Sequence, residues 1–323
     1  MHAYAALAVG IAISFGIAGG LVVYDPQLLP TSPSQCTPAN TYLTTGTTPH
    51  LTFTSILYPG SPSSEASGIN DKGQVVGIYP AHPVAGYSFL LTSGNFTSIA
   101  APNAWTTQAN GINDQGEIVG FYGDAETYAI HGFLISSGAF HAFDFPGAVT
   151  TEAFGVNDLG QIVGTYVNST QNAGFVMGPD ENSTIIYPGA LSTVATGIND
   201  EGQVVGYYSA NNGNGNQTSI GGFLFSSGKF TPIDYPGALS TQPFGINDEG
   251  QVVGQYFNTN STVQRHGFLL SCGVYSTVDH PYSAATAAMG INDVGQIVGV
   301  YYPMNQDQVP DVAGFISSSS GTS

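Results

Sequence analysis

The chain has 323 residues, and its 3 Lys+Arg stand against 21 Asp+Glu, for a formal net charge of −18. So few cations exclude nucleic-acid binding, which needs Lys and Arg to displace counterions from phosphates. Attraction to anionic lipid headgroups fails for the same reason. Only 7% of residues are charged while 42% are hydrophobic, so backbone ladders and apolar packing, not ion-pair networks, must hold the fold.

The chain opens on Ala3–Tyr24, 22 residues without a charge. As a helix this stretch is roughly 33 Å long, enough to span a bilayer core. Ala6, Gly10 and Ser14, and again Ala12, Gly16 and Gly20, recur four apart, which permits close helix–helix approach. A secretory signal peptide needs a basic start, and the first cation of this chain is Lys72. An apolar, self-packing helix that carries a globular head resembles the plan of type IV pilin-like filament subunits, although no processing motif or early Glu is present. That resemblance implies a filament core over residues 1–24, with a single membrane anchor or an atypical signal peptide as alternatives. Residues 25–50 are rich in Pro, Ser and Thr and read as an extended linker.

Beyond the linker one phrase occurs six times, Gly-Ile-Asn-Asp-x-Gly-Gln-Val-Val-Gly-x-Tyr with small variations. It opens at Gly68, Gly111, Gly155, Gly197, Gly245 and Gly290. A second phrase alternates with it, as in His131-Gly-Phe-Leu-Ile-Ser-Ser-Gly138, and a third follows, as in Phe230-Thr-Pro-Ile-Asp-Tyr-Pro-Gly237. Asn-Asp-x-Gly suits a tight turn with Gly at positive φ, and the β-branched and aromatic run after it reads as the returning strand. In the first repeat this gives strand A ending at Asn70, strand B over Gln74–Tyr79, strand C over Ser88–Leu91 and strand D over Phe96–Ala101. Strand B is apolar on both faces, so each sheet expects a cover on both sides. Four-stranded units of this length, stacked face to face in a ring, make a β-propeller. The last repeat lacks a D strand, and Leu51–Gly60 is a D phrase with nothing before it. Pairing the two closes the ring, so the expected fold is all-β, a six-bladed β-propeller over residues 51–318 preceded by one apolar α-helix.

The repeated phrases resemble the probable extracellular repeats named for their His-Ala-Phe triplet, with Gly-Phe here in place of Ala-Phe. The resemblance covers all six repeats and implies secretion and a propeller-like fold. It brings no catalytic residues with it.

Polar candidates are few. The six Asn-Asp pairs, from Asn70/Asp71 to Asn292/Asp293, supply too few oxygens each for Ca²⁺ and read as turn caps. His131 and His266 are too far apart in the ring for a metal site. Asp144, Asp234 and Asp279 share one strand-D position and so belong to the repeat. The strand-B tyrosines, Tyr79, Tyr122, Tyr166, Tyr208, Tyr256 and Tyr301, either line a sugar-binding surface or pack between blades, and packing is the simpler account. No catalytic, cofactor or metal residues stand out, and nothing breaks the repeat as an enzyme's residues would. Sequons at Asn95, Asn168, Asn182, Asn216 and Asn260 fall in expected loops and turns and are candidate glycosylation sites. Cys272 falls in a C–D turn on the face where the linker enters, so a Cys36–Cys272 disulfide is geometrically reasonable. The functional expectation is a non-enzymatic extracellular structural protein that assembles into a surface filament with copies of itself. The alternative is an anchored or secreted propeller that binds glycan or another surface. Neither reading involves a cofactor or nucleic acid, and membrane contact is confined to residues 3–24.

Overall fold

The computed structural model describes residues 51–319 apart from 82–84, 180–181, 212–217, 259–264, 282 and 305–311. Expectations for residues 1–50, including Ala6, Gly10, Ser14, Gly16, Gly20 and Cys36, lie outside the described residues. No helix among the described residues is long and apolar enough to cross a membrane.

Every described element is a strand. After β1 (Leu51–Ile56), the first repeat forms β2 (Glu65–Ile69), β3 (Val75–Ala81), β4 (Ala85–Thr92) and β5 (Asn95–Ile99). The second forms β6 (Ala104–Ile112), β7 (Ile118–Asp124), β8 (Ile130–Ser136) and β9 (Ala139–Phe143). The third forms β10 (Thr150–Val156), β11 (Ile162–Val167), β12 (Asn172–Met177) and β13 (Asn182–Ile185). The fourth forms β14 (Ser192–Ile198), β15 (Val204–Asn211), β16 (Thr218–Ser226) and β17 (Lys229–Ile233). The fifth forms β18 (Ser240–Ile246), β19 (Val252–Phe257), β20 (Arg265–Ser271) and β21 (Val274–Val278). The sixth supplies β22 (Ser283–Ile291), β23 (Ile297–Pro303) and β24 (Ala313–Ser319), and β1 completes it. The closing pair runs antiparallel from Leu51↔Ser319 to Ile56↔Gly314, as the unpaired D phrase requires.

The sheets do not fall into six separate four-stranded units. Four are four-stranded, while the third and fourth repeats merge into one eight-stranded sheet. The merger rests on a single parallel pair, Asn172↔Ser192, between β12 and β14. Small Ala173 stands where other repeats place His131 or His266. Thr165 Oγ1 lies within hydrogen-bonding reach of the Ala173 and Thr193 carbonyls and draws the two backbones together.

Two glycines of the repeated phrase are demanded by close approach. A Cβ on Gly68 would lie 2.7 Å from the Asn110 carbonyl and 3.2 Å from the Gly111 Cα, and each opening glycine meets the next in the same way around the ring. A Cβ on Gly77 of β3 would lie 2.0 Å from the Glu65 carbonyl and 2.7 Å from the Phe89 ring. That second glycine lets the phenylalanine of each Gly-Phe pair (Phe89, Phe133, Phe175, Phe223, Phe268 and Phe315) become completely buried. The core therefore sits between successive repeats, as where Ile56 and Val298 pack with Ala66, Val75 and Phe89.

The strand-B tyrosines serve this inter-repeat core. Tyr79 stacks on Tyr58, Tyr208 on Tyr187 and Tyr256 on Tyr235, each with ring centroids 3.7 Å apart, and Tyr301 stacks on His280 at 3.6 Å. In each case the partner follows the preceding strand D. A latch absent from the sequence reading fixes the same junction. The backbone N–H of Tyr58, Ala101, Phe145, Tyr187, Tyr235 or His280 donates to a Ser or Thr hydroxyl six residues on, at 2.8–3.1 Å.

Candidate functional site

The innermost strands, β2, β6, β10, β14, β18 and β22, surround a central channel, and its two mouths differ in chemistry. At one end the Asn-Asp turns form a crown. Asn70 Oδ1 accepts the Gln74 N–H at 2.9 Å, capping its own turn, and the other five asparagines do likewise at 2.8–2.9 Å. Each asparagine also donates from Nδ2 to the next asparagine's carbonyl at 2.9–3.1 Å, and Asn292 donates back to Asn70. A second ring lies outside the first. Each crown aspartate N–H donates to Oδ1 of the next aspartate at 2.8 Å, from Asp71 to Asp114 and round to Asp293 and Asp71 again. The turn-cap expectation therefore holds, and the caps additionally tie neighbouring repeats together. Burial pushes the Asp293 carboxyl up to about 6, with the charges of Asp248, Asp71 and Asp114 adding to the shift. Asp200 is raised by burial too, with the charges of Asp248, Asp158 and Asp114 adding to the shift. Among the described residues no group of His, Cys, Asp and Glu is arranged to hold a metal ion.

The opposite mouth is where the innermost strands begin, and here the repeats stop matching. The position three before each opening glycine holds Glu65, Gln108, Glu152, Val194, Gln242 and Ala287. Its register partner on the second strand is Ile78, Phe121, Thr165, Tyr207, Gln255 or Val300. The position just before each glycine is equally varied, with Asn110, Phe154, Thr196 and Phe244 among its residues. A cavity of ≈ 260 Å³ opens here, lined by Glu65, Gln108, Phe154, Tyr207 and Phe244 among others. The expectation that nothing breaks the repeat is corrected at this mouth.

Electrostatics mark the same place. Burial raises the Glu65 carboxyl above the usual range, and the Arg265 charge partly opposes it. Burial also raises Glu152. Tyr207 is raised by burial and then by the Glu152 charge. Among the described residues neither carboxylate accepts a hydrogen bond or forms an ion pair, because the ion pairs there are His131–Asp144 and His266–Asp279. Arg265 instead lies over the Tyr302 ring, 4.4 Å from its centroid, with Nε buried and unpaired. Buried Gln255 donates to Gln242, while its own Oε1 meets no donor.

Around this mouth runs an exposed apolar rim at the position two past each Pro-Gly or its equivalent. Its members are Pro62, Trp105, Val149, Leu191, Leu239 and Ala284. Each stands at or just before the start of an innermost strand. Val149 keeps 69% of its surface exposed and Leu239 58%, so the core does not claim them.

The other sequence candidates lie away from the channel. His131 Nδ1 sits 2.9 Å from Asp144 and His266 Nδ1 2.7 Å from Asp279, pairs that the thirteen-residue spacing in two repeats would have revealed. Asp234 has Gly221 where those repeats carry His. Asn95 and Asn182 are exposed at the starts of β5 and β13, and Asn168 lies in the β11–β12 loop. Asn168 Oδ1 accepts the Thr170 and Gln171 N–H groups. Asn216 and Asn260 fall outside the described residues. Cys272 is exposed at a left-handed φ of 48° in the β20–β21 turn and has no disulfide partner among the described residues. Glu65, Glu152 and Arg265 were missed because they sit between the repeated phrases, and Tyr207 because it is the variable position just before the phrase's final tyrosine. Lining up the six copies and reading where they disagree finds them.

A ring of antiparallel sheets around a channel, closed by pairing the first strand with the last, defines the class of this protein as a β-propeller. No family model matches the sequence, and no curated protein matches it either. Solved structures similar to it include TolB from Acinetobacter baumannii, 11% identical with a TM-score of 0.47 over 67% of this chain and 55% of that one. The β-propeller domain of the Trilobed protease from Pyrococcus furiosus, described as having an open velcro topology, is 9% identical with a TM-score of 0.47 over 78% of this chain and 95% of that domain. Acylaminoacyl peptidase from Pyrococcus horikoshii is 8% identical with a TM-score of 0.42 over 74% of this chain and 49% of that one. The chain thus spans about half of the first and last of these.

Proposed function

We propose that this chain is a six-bladed, non-enzymatic propeller head that is displayed outside the cell and recognises a ligand at the wide mouth of its channel. The contrast between the mouths carries this reading. At the crown every repeat spends the same polar groups on its neighbour. At the wide mouth the repeats differ and leave polar groups unpaired beside a cavity, the usual anatomy of a binding site. The non-enzymatic part rests on the sequence, in which no catalytic residues stand out. Extracellular display rests on the repeat resemblance and the scarcity of cations. Glycans on Asn95, Asn168 and Asn182 and a Cys36–Cys272 bridge belong to the same proposal, and intact mass with and without reductant tests both.

A second reading, assembly into filaments, is favoured by the uncharged run Ala3–Tyr24 with its small residues four apart. Immunogold electron microscopy of intact cells separates the readings. Label scattered singly over the surface supports a recognition head, and label along filaments supports assembly. Label confined to the interior overturns both.

A further inference from the structure

Resting on the recognition reading, we propose that the wide mouth docks a basic segment of a partner polypeptide, in which lysines or arginines alternate with apolar residues. The cationic groups reach Glu65 and Glu152, and the apolar residues lie on the rim of Trp105, Val149, Leu191 and Leu239.

Three features point to a cation. Half-buried carboxylates without hydrogen bonds or ion pairs among the described residues are costly, and a cation from outside is the group that satisfies them. Beside them stand the rings of Phe154, Tyr207 and Phe244, with Tyr207 edge-on to Phe244 at 6.3 Å. Aromatic faces next to carboxylates attract ammonium and guanidinium groups through the ring quadrupole. The orphaned Oε1 of Gln255, on the same strand position as Tyr207, is an acceptor and calls for a donor rather than another acceptor. A neutral glycan satisfies the acceptors only in part and leaves both carboxylates to be buried against uncharged groups.

The rim points to a polypeptide rather than a small amine. Large apolar side chains at equivalent positions in four consecutive repeats form an exposed arc around an acidic well. A chain with an apolar–basic alternation meets both features at once, because lysine and arginine stems are themselves apolar. The charge of −18 makes another copy a poor occupant. The three cations are already placed: Lys72 lies in a crown turn, Lys229 at the start of β17 on the crown face, and Arg265 over the Tyr302 ring. A basic partner, by contrast, is drawn in by the whole field of the head.

Trp105 is the single tryptophan of the chain and stands on the rim, so the unmodified full-length protein reports on its own occupancy. The probes are the capped peptide Leu-Lys-Leu-Lys-Leu, its arginine counterpart, and a control with norleucine for lysine, titrated at low salt. The basic peptides are expected to shift Trp105 emission saturably and the control to bind about tenfold more weakly or not at all. E65Q and E152Q should each weaken the basic peptides several-fold, and L191S/L239S should weaken basic and control peptides alike. Equal affinity for the control, or no saturable shift with any peptide, overturns the proposal. Binding of neutral oligosaccharides that is lost in Tyr207→Ala also overturns it while leaving the recognition reading intact. If neither peptides nor oligosaccharides bind, both fall.

Discussion

The two ends of the channel are built from the same six strands yet follow opposite rules. At the crown Asn and Asp recur six times in six, and each makes the same bonds at nearly the same lengths. At the wide mouth, three residues earlier on those strands, six repeats present five different side chains at one position. The crown is where neighbouring units must lock, so a change in one copy costs two interfaces. The wide mouth bears little of the fold, so side chains there are free to serve something else. Identity between repeats thus maps structural need, and difference between them maps a candidate site.

Substitutions break or sharpen this contrast. The largest effect is expected inside the shared core: Phe133→Ala should cost roughly 3–5 kcal/mol in denaturant unfolding. Its ring is completely buried and fills the space that Gly120 leaves open. Next comes the crown. Asn157→Ala removes the bonds to the Gln161 N–H and to the Asn199 carbonyl and leaves buried partners unsatisfied, for about 2–3 kcal/mol. If Asn157→Ala were neutral, the interlocking role of the crown would fail.

An intermediate effect is a pH dependence. Asp293, Asp200, Glu65 and Glu152 all hold protons more tightly folded than unfolded. Between the ordinary carboxylate range and about 6, where Asp293 titrates in the folded chain, the folded state therefore binds more protons. Stability is fully present below the unfolded values and declines as pH rises through the folded ones. Melting temperature should consequently be higher near the lower end of that window than at neutrality, and added salt should narrow the gap by screening the crown. The reverse slope would contradict the crowding of carboxylates described here. The smallest effect is expected at the wide mouth, where Gln108→Ala should change stability by less than about 0.5 kcal/mol by the same denaturant measurement.

Much of the fold was legible because the repeat states it six times. The phrase boundaries place the strands to within a few residues, and the unpaired D phrase at Leu51–Gly60 correctly anticipates the β1–β24 seam. The merger of the third and fourth repeats was not legible. It depends on Ala173 and Thr165 acting across two blades, and no single phrase records that contact. Nor was the D–A latch: Ser64, Thr107 and their equivalents look like ordinary strand residues until the turn folds back onto them. The site was hidden for the opposite reason. Glu65 and Glu152 share a position, but Gln, Val and Ala occupy it in the other four repeats and dilute the signal, and only the ring brings those positions to one opening.

The seam at β1 also has a mechanical side. A pull on the segment before Leu51, directed along that strand, loads all six residue pairs from Leu51↔Ser319 to Ile56↔Gly314 together in shear. Sheared ladders yield collectively, whereas peeled ones part rung by rung. The wheel is therefore best gripped by its first strand, and tension applied along that strand meets the joint in its strongest direction.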